Sequence, residues 1–493
     1  MRRAKEVKSW SGREDLLQQD TLRYLLRRGE KTEFGKANSL KDILREKDIK
    51  DAYAEAVPMR EYEDFREYIM RMIHGEKDIL WPGLCNNFAQ SSGTTGGRSK
   101  YIPVTEEGLR NNHYKGASYS VALYLASNPS SHLFSGKGLI LGGSFATEVV
   151  EMRKGVVVGD LSATLIDRVN PLVNFFRIPD KKTALLEDWQ EKLPLLAAKA
   201  AKSDITNLSG VPSWMMHVLQ KVLEIKGAAR LVEVWPKLEV FFHGGISFAP
   251  YREEYRRICE GLDMHYSEVY NASEGYFAVS DCCEPGMILL VDSGVYYEFL
   301  PLGGEQTVGI DDLQSGKVYE LVISTVNGLW RYRLGDTVRV EGLDPLRITV
   351  AGRTKSFINA FGEELMEDNA EKALAEACRL TEASINNYTV APVYAYGSNK
   401  GCHQWIVEWR RKPSSTDEFI RILDENLRKV NSDYDAKRSH DIFLDRPQIV
   451  SVAHGAFHRW LRTMGSGKLG GQRKVPRLSN DRSIADAIIG GHK

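Results

Sequence analysis

Leu238-Glu239-Val240-Phe241-Phe242, stopped by Gly244-Gly245, is a short apolar run that ends on two turn-forming residues. Two upstream stretches repeat the arrangement. Gly138-Leu139-Ile140-Leu141 ends in Gly142-Gly143-Ser144, and Ile205-Thr206-Asn207-Leu208 passes through Gly210 and Pro212-Ser213 into a helical stretch from Trp214. Runs of this kind, bounded by glycines and separated by helices, predict an α/β fold whose largely parallel or mixed sheet is covered on both faces.

Downstream the texture turns antiparallel. Val318 to Thr325 reads as a strand, and Asn327-Gly328 as a hairpin turn, because both positions tolerate positive φ. The return strand alternates Trp330, Tyr332 and Leu334 with Arg331 and Arg333, which predicts two unlike faces and an end at Gly335-Asp336. A boundary is expected near Ala351-Gly352-Arg353. Beyond it, Asp368 to Leu380 reads as a helix with Ala370, Leu374, Ala377 and Cys378 on one side. Strands through Val390, Trp405-Ile406-Val407 and Ile442-Phe443-Leu444 complete a small α+β unit. Upstream, the charged stretch before Pro82-Gly83 reads as helical, with Leu16, Leu17, Leu22, Leu25 and Leu26 at core spacing. The chain has 493 residues, so several domains are expected; the assignment is 1–351 and 352–493.

Composition narrows the function. Lys+Arg and Asp+Glu are equal at 66 each, so no global field recruits nucleic acid or an anionic membrane. The six cysteines are scattered without a CxxC pair, which indicates neither zinc nor a disulfide framework. No apolar run follows the basic N-terminus and none is long enough to span a bilayer, so the cytoplasm is the simplest address.

Five segments carry chemistry. Ser91-Ser92-Gly93-Thr94-Thr95-Gly96-Gly97-Arg98-Ser99-Lys100 concentrates backbone N–H groups, hydroxyls and cations able to wrap phosphate oxygens; it is not a Walker A loop. Tyr270-Asn271-Ala272-Ser273-Glu274-Gly275 places a carboxylate where a strand from Met264 to Val269 gives way to a loop, a position suited to Mg²⁺. Asp336, ending Tyr332-Arg333-Leu334-Gly335-Asp336, can accept hydrogen bonds from both hydroxyls of a ribose. Gly352-Arg353-Thr354-Lys355 opens a segment on the domain boundary. Gly465 to Arg477 is a glycine-rich loop whose Lys468 and Lys474 could meet a phosphate. Each alone equally describes an ordinary turn or linker.

In this order the five segments resemble the motif series of the acyl-adenylate-forming superfamily. Within it the wording is similar to the Gretchen Hagen (auxin-responsive) family of acyl acid–amido synthetases. The matching stretches are Thr32-Glu33-Phe34-Gly35-Lys36, Ser91-Ser92-Gly93-Thr94 running into Ile102-Pro103-Val104-Thr105, Tyr332-Arg333-Leu334-Gly335-Asp336, and Lys474-Val475-Pro476-Arg477. The resemblance spans nearly the whole chain. It implies a large N-terminal domain with mixed β-sheets flanked by helices, a small mobile C-terminal lid, and an active site between them. It further implies that Ser91, Ser92, Thr94 and Thr95 hold ATP phosphates, that Glu274 binds Mg²⁺, and that Tyr270, Asn271, Ala272 and Ser273 lie against adenine. Asp336 would take the ribose, with Arg353 near the sugar or hinge, and Gly244-Gly245 would flank the adenine and acyl pocket. Gly142-Gly143-Ser144-Phe145 and Ser213-Trp214 map more loosely, to the acyl or acceptor side. Ala272 departs from the serine of many members. The lysine that some plant members place just after the hinge is absent from Glu364-Leu365-Met366-Glu367-Asp368, so the terminal loop is expected to supply it, as Lys474 rather than Lys468.

The implied reaction joins a carboxylic acid to ATP as an acyl-adenylate and passes the acyl group to an amine, an amino acid by the resemblance. Thr94, Glu274 and Lys474 would assist the chemistry. His243, preceding Gly244, is a possible helper for the amine, although a histidine so placed is more often structural. A thioester-forming acyl-CoA synthetase and a non-catalytic nucleotide-binding regulatory protein are the alternatives. The motifs specify neither acid, acceptor nor oligomeric state.

Overall fold

The computed structural model describes residues 2–91, 100–145, 152–187, 189–245, 248, 251–281, 284–353, 357–394, 400–439, 444–463 and 476–490. The chain divides into two units, one of residues 1–91, 100–245 and 255–354, the other built on residues 355–493 and taking in 251–254.

In the first unit the strands are β1 (Asn87–Ser91), β2 (Lys100–Pro103), β3 (Lys137–Ile140), β4 (Val157–Gly159), β5 (Arg177–Ile178), β6 (Ile205–Gly210), β7 (Val240–His243), β8 (His265–Ala272), β9 (Gly275–Val279), β10 (Met287–Leu289), β11 (Val295–Pro301), β12 (Val318–Thr325), β13 (Tyr332–Leu343) and β14 (Leu346–Arg353). Eleven of them form one mixed sheet in the order β11-β12-β13-β14-β10-β9-β8-β7-β6-β3-β5. Strands β5, β3, β6, β7 and β8 run parallel; from β8 onward every pairing is antiparallel. The glycine-ended runs are therefore the parallel half, as expected. After β6, Pro212 takes the first turn of the helix Pro212–Lys226, where its missing N–H costs nothing, and Gly227 closes that helix at φ +60°.

The antiparallel half curls. Strands β8 and β13 are separated in sheet order by β9, β10 and β14, about 19 Å along a flat sheet. Yet the Tyr270 hydroxyl on β8 donates to Asp336 on β13 at 2.8 Å. Tyr297 on β11 likewise reaches the Phe277 carbonyl on β9 at 3.4 Å. Only a sheet bent back on itself brings these strands together, which turns its concave side into a core of Val279, Leu289, Tyr297, Leu321, Ile323 and Val338.

The helical N-terminal region is confirmed, with Leu22, Leu25 and Leu26 buried; Leu16 instead faces solvent. Thr32-Glu33-Phe34-Gly35-Lys36 is a packing element. Thr32 caps a short helix by accepting the Gly35 N–H, and Phe34 stacks on Trp330 at 5.8 Å. A separate sheet, β2-β1-β4, carries the ends of the Ser/Thr-rich segment: Ser91 closes β1 and pairs with Lys100, which opens β2.

The hairpin departs from expectation in two ways. The return strand does not end at Gly335-Asp336 but continues to Leu343, with a bulge that sets Leu334 to Asp336 opposite the single residue Leu321. Nor does Arg331 share a polar face with Arg333. It is buried at φ +45°, paired with Glu298 at 2.9 Å and donating to the Ala54 and Val57 carbonyls. Arg333 is more exposed and grips Glu320 through two bonds.

The second unit contains β15 (Phe357–Ile358) paired with β16 (Leu365–Met366), and a sheet of β17 (Ser384–Val393), β18 (Cys402–Arg411) and β19 (Gln448–Val452). Helices Glu367–Leu380 and Thr416–Val430 bury Ala370, Leu374, Ala377, Phe419, Leu423 and Leu427 against Val390, Trp405 and Val407. Residues 442 and 443 lie outside the described residues. Leu444 makes only an isolated bridge with Gly401, so the third strand is β19. Glu363 and His403, both fully buried, meet at 2.7 Å. No helix among the described residues is long and apolar enough to cross a membrane.

Candidate functional site

Four chain segments leave the carboxyl ends of the parallel strands side by side: Leu141–Phe145 after β3, Val211 after β6, Gly244-Gly245 after β7, and the Ser273-Glu274 turn after β8. Ligands of open α/β sheets collect at this edge, because the strand ends release backbone and side chains where the topology changes. Here β8 is the change, parallel to β7 and antiparallel to β9.

Gly244 is required by close approach. A side chain there would collide with the Val269 carbonyl of β8, and Gly245 turns at φ +83°. His243 is buried in β7 with its ring 5.4 Å from Phe241. Tyr270, Asn271 and Ala272 are not loop residues but the last three of β8, with a register shift between Tyr270 and Asn271. Only Ser273 and Glu274 make the turn into β9.

Two carboxylates are buried at this edge. Asp336 is 7% exposed and Glu274 8%. The bulge in β13, with Gly335 at φ +82°, is what lets Asp336 project to Tyr270 rather than follow the strand's alternation. A tyrosine hydroxyl donating to a buried carboxylate contributes on the order of 1.5–3 kcal/mol. Glu274 accepts from the Tyr332 hydroxyl at 3.3 Å, and its backbone carbonyl accepts from Asn327 at 3.3 Å. Asn327, read from sequence as a hairpin turn, also accepts the Thr105 N–H at 3.0 Å, so it ties the Glu274 turn to the chain just beyond β2. Asp336 and Arg353 are register partners across β13 and β14, which brings the ribose and hinge candidates together along the backbone.

The structure thus unites Gly244, Gly245, Tyr270 to Glu274, Asp336 and the backbone of Arg353 in one unit. Ser91 is fixed at the end of β1. Ser92, Thr94, Thr95, Lys468 and Lys474 lie outside the described residues. Among the described residues no three His, Cys, Asp or Glu side chains gather to hold a metal, and Cys85, Cys259, Cys378 and Cys402 are free thiols. Sequence reasoning gave no role to Tyr332, Asn327 or Arg331. Tyr332 and Arg331 stood inside or beside a motif already singled out; only the fold shows what they touch.

Sequence profiles of the GH3 family match three stretches: the N-terminal domain over residues 3–264, the central domain over 288–353 and the C-terminal domain over 368–483. Indole-3-acetic acid-amido synthetase GH3.15 of Arabidopsis thaliana is 25% identical, covering 95% of this chain and 91% of that protein. The crystal structure of AtGH3.15 acyl acid amido synthetase in complex with 2,4-DB superimposes with a TM-score of 0.63 at 20% identity, over 99% of this chain and 95% of that one. A 2-hydroxyisobutyryl-CoA ligase bound to 2-HIB-AMP and CoA gives a TM-score of 0.60 at 14% identity, over 97% and 92%. The fold expectation is borne out.

Proposed function

The chain belongs to the GH3 family, and from that premise we propose that it is an acyl acid–amido synthetase: it adenylates a carboxylic acid with ATP and transfers the acyl group to an amino acid. The observation that carries this reading is the pair of buried carboxylates, Glu274 and Asp336, each taking a tyrosine hydroxyl at the edge where the sheet changes direction.

In the first step the substrate carboxylate attacks the α-phosphorus of ATP and pyrophosphate leaves. Both reactants are anionic, so positioning and charge neutralisation set the barrier. Asp336 accepts the ribose hydroxyls, held for that task by Tyr270. Ser91, Ser92, Thr94 and Thr95 donate to phosphate oxygens. Glu274 is a single hard oxygen donor, which fits Mg²⁺ held mainly by phosphates and water; when bound, the ion offsets phosphate charge. Gly244, Gly245, the strand end Asn271-Ala272 and the turn residue Ser273 give the flat adenine a wall without bulky side chains, and Arg353 stands beside the ribose. Lys474 offsets the charge that develops as the mixed anhydride forms. In the second step the neutral amine attacks the acyl carbon, the acyl–phosphate bond breaks and AMP departs, and the nitrogen gives up a proton as the amide forms. Residues 352–493 act as the lid, and the reaction belongs in the cytoplasm with ATP and free amino acids.

Incubation with ATP, Mg²⁺, an acid panel and the twenty amino acids, read by mass spectrometry, tests the reading. An amide appearing with stoichiometric AMP and pyrophosphate supports it. Thioester formed instead when CoA is supplied would reassign the chain to the ligase reading that the CoA-ligase likeness of the fold keeps open.

A further inference from the structure

Lys192, on the helix Trp189–Ala201, is buried, and no sequence motif points to it. Its ammonium donates to the Gly142 carbonyl at 2.7 Å and lies 3.5 Å from that of Gly143. These glycines begin the strap Gly142–Phe145 that leaves β3. The strap is gripped from its other side as well. Ser162 accepts the Gly143 N–H at 2.8 Å, Asp160 accepts the Ser144 N–H at 3.0 Å, and the Asp160 N–H returns to the Ser144 carbonyl at 3.0 Å. Side chains at Gly142 or Gly143 would collide with Ile166 or Asp160, so the strap is seated with no slack.

The strap also connects two sheets. Phe145 bridges Gly159 at the end of β4, and Gly159 pairs with Ala89 of β1, two residues before Ser91. At its start, the Leu141 N–H donates to Ser209 of β6. We propose that Lys192 is a positioning residue that clamps this strap, and that the clamped strap keeps the end of β1 in register with the carboxyl edge of β3 and β6. The proposal rests on the adenylation reading, in which Ser91 begins the phosphate-binding segment and the sheet edge holds the other reactant. A loose strap would misplace two reactants by a fraction of an ångström, the kind of error that lowers turnover more than binding.

Burial pulls the Lys192 pKa down from its ordinary 10.5 to about 8, with the Asp160 charge acting in the opposite direction. Because the folded-state value is depressed, the cost of burying this charge is present below about pH 8 and disappears as pH rises toward 10.5. Stability from this group therefore increases with alkalinity, whereas the clamp weakens as the ammonium loses its proton. A purely structural lysine would not move the two quantities in opposite directions.

The test compares wild type, K192M and K192R by acid-dependent pyrophosphate exchange, thermal melting and hydrogen exchange of residues 141–145. K192M is expected to lower the exchange kcat about 10- to 100-fold, with the KM for ATP within about two-fold, and to deprotect the strap. Wild-type kcat should fall above about pH 8, and in K192R, which stays charged, that fall should move upward. Unchanged kcat and strap protection in a folded K192M would overturn the proposal. If K192M does not fold, the same alkaline fall in wild type and K192R would overturn it. Should wild type exchange with no acid, the adenylation reading fails by itself, and strap protection in K192M still judges the clamp.

Discussion

In the antiparallel half of the large sheet, separate segments meet through side chains: Tyr270 on Asp336, Tyr332 on Glu274, and Arg331 on Glu298. In the parallel half, β3, β6 and β7 end on glycines, and what they bring to the edge is backbone: Gly142, Gly143, Gly210, Gly244 and Gly245. The difference is one of tolerance. A buried carboxylate bonded to a tyrosine is fixed by chemistry, so replacing either group changes what the site can bind. A glycine end is fixed by space, so replacing it changes where the chain runs. The first half suits the polar part of the nucleotide, its ribose and phosphates; the second suits what a site shapes by its contours, the flat adenine and the acyl group.

That contrast can be broken by four substitutions. Glu274→Gln should cost the most, on the order of 10²- to 10³-fold in pyrophosphate exchange, because it removes the anionic ligand that would hold Mg²⁺ against the phosphates where negative charge develops. Melting should stay near wild type, since the amide oxygen can still accept from Tyr332. Asp336→Ala comes next, with the apparent KM for ATP rising about 10- to 100-fold for the loss of charged hydrogen bonds to the ribose. An ATP dependence identical to wild type would remove Asp336 from the nucleotide site. Gly244→Ala should act on stability first: the collision with the Val269 carbonyl is expected to cost about 1–3 kcal/mol, read as a lower melting temperature. Smallest in its effect on the reaction is Tyr270→Phe, which leaves Asp336 its charge and is expected to show a few-fold higher KM for ATP without loss of kcat. If Gly244→Ala altered only KM for ATP while Asp336→Ala only lowered melting, the division between the halves would be wrong.

Strands β3, β6, β7, β8, β12 and the start of β13 were legible from sequence because each is an apolar or alternating run with a glycine or a turn nearby; β5, β9, β10, β11 and β14 were not read. β12 was read to the residue, from Val318 to Thr325, and the hairpin at Asn327-Gly328 was placed correctly, but of those two only Gly328 takes positive φ, and the connection runs from Val326 to Arg331 rather than through a two-residue turn. The site was legible as a set of motifs but not as a geometry. Nothing local in Leu334-Gly335-Asp336 announces a bulge; it exists because β12 and β13 keep pairing on both sides of it. Arg331 looked solvent-facing because alternation was assumed through it, yet its φ of +45° turns it under the helical region, where Glu298 and two carbonyls satisfy its donors. Lys192 was invisible for a related reason, since its partners lie 50 residues away and are backbone atoms, which no pattern of residue types records.

Adenylation is tested most directly by exchange of labelled pyrophosphate into ATP, with Mg²⁺, across a panel of aryl, indolyl and aliphatic acids. The prediction is exchange that requires one class of acid, disappears in Glu274→Gln and needs no amine. Exchange absent for every acid, in a folded protein that binds ATP, would contradict it.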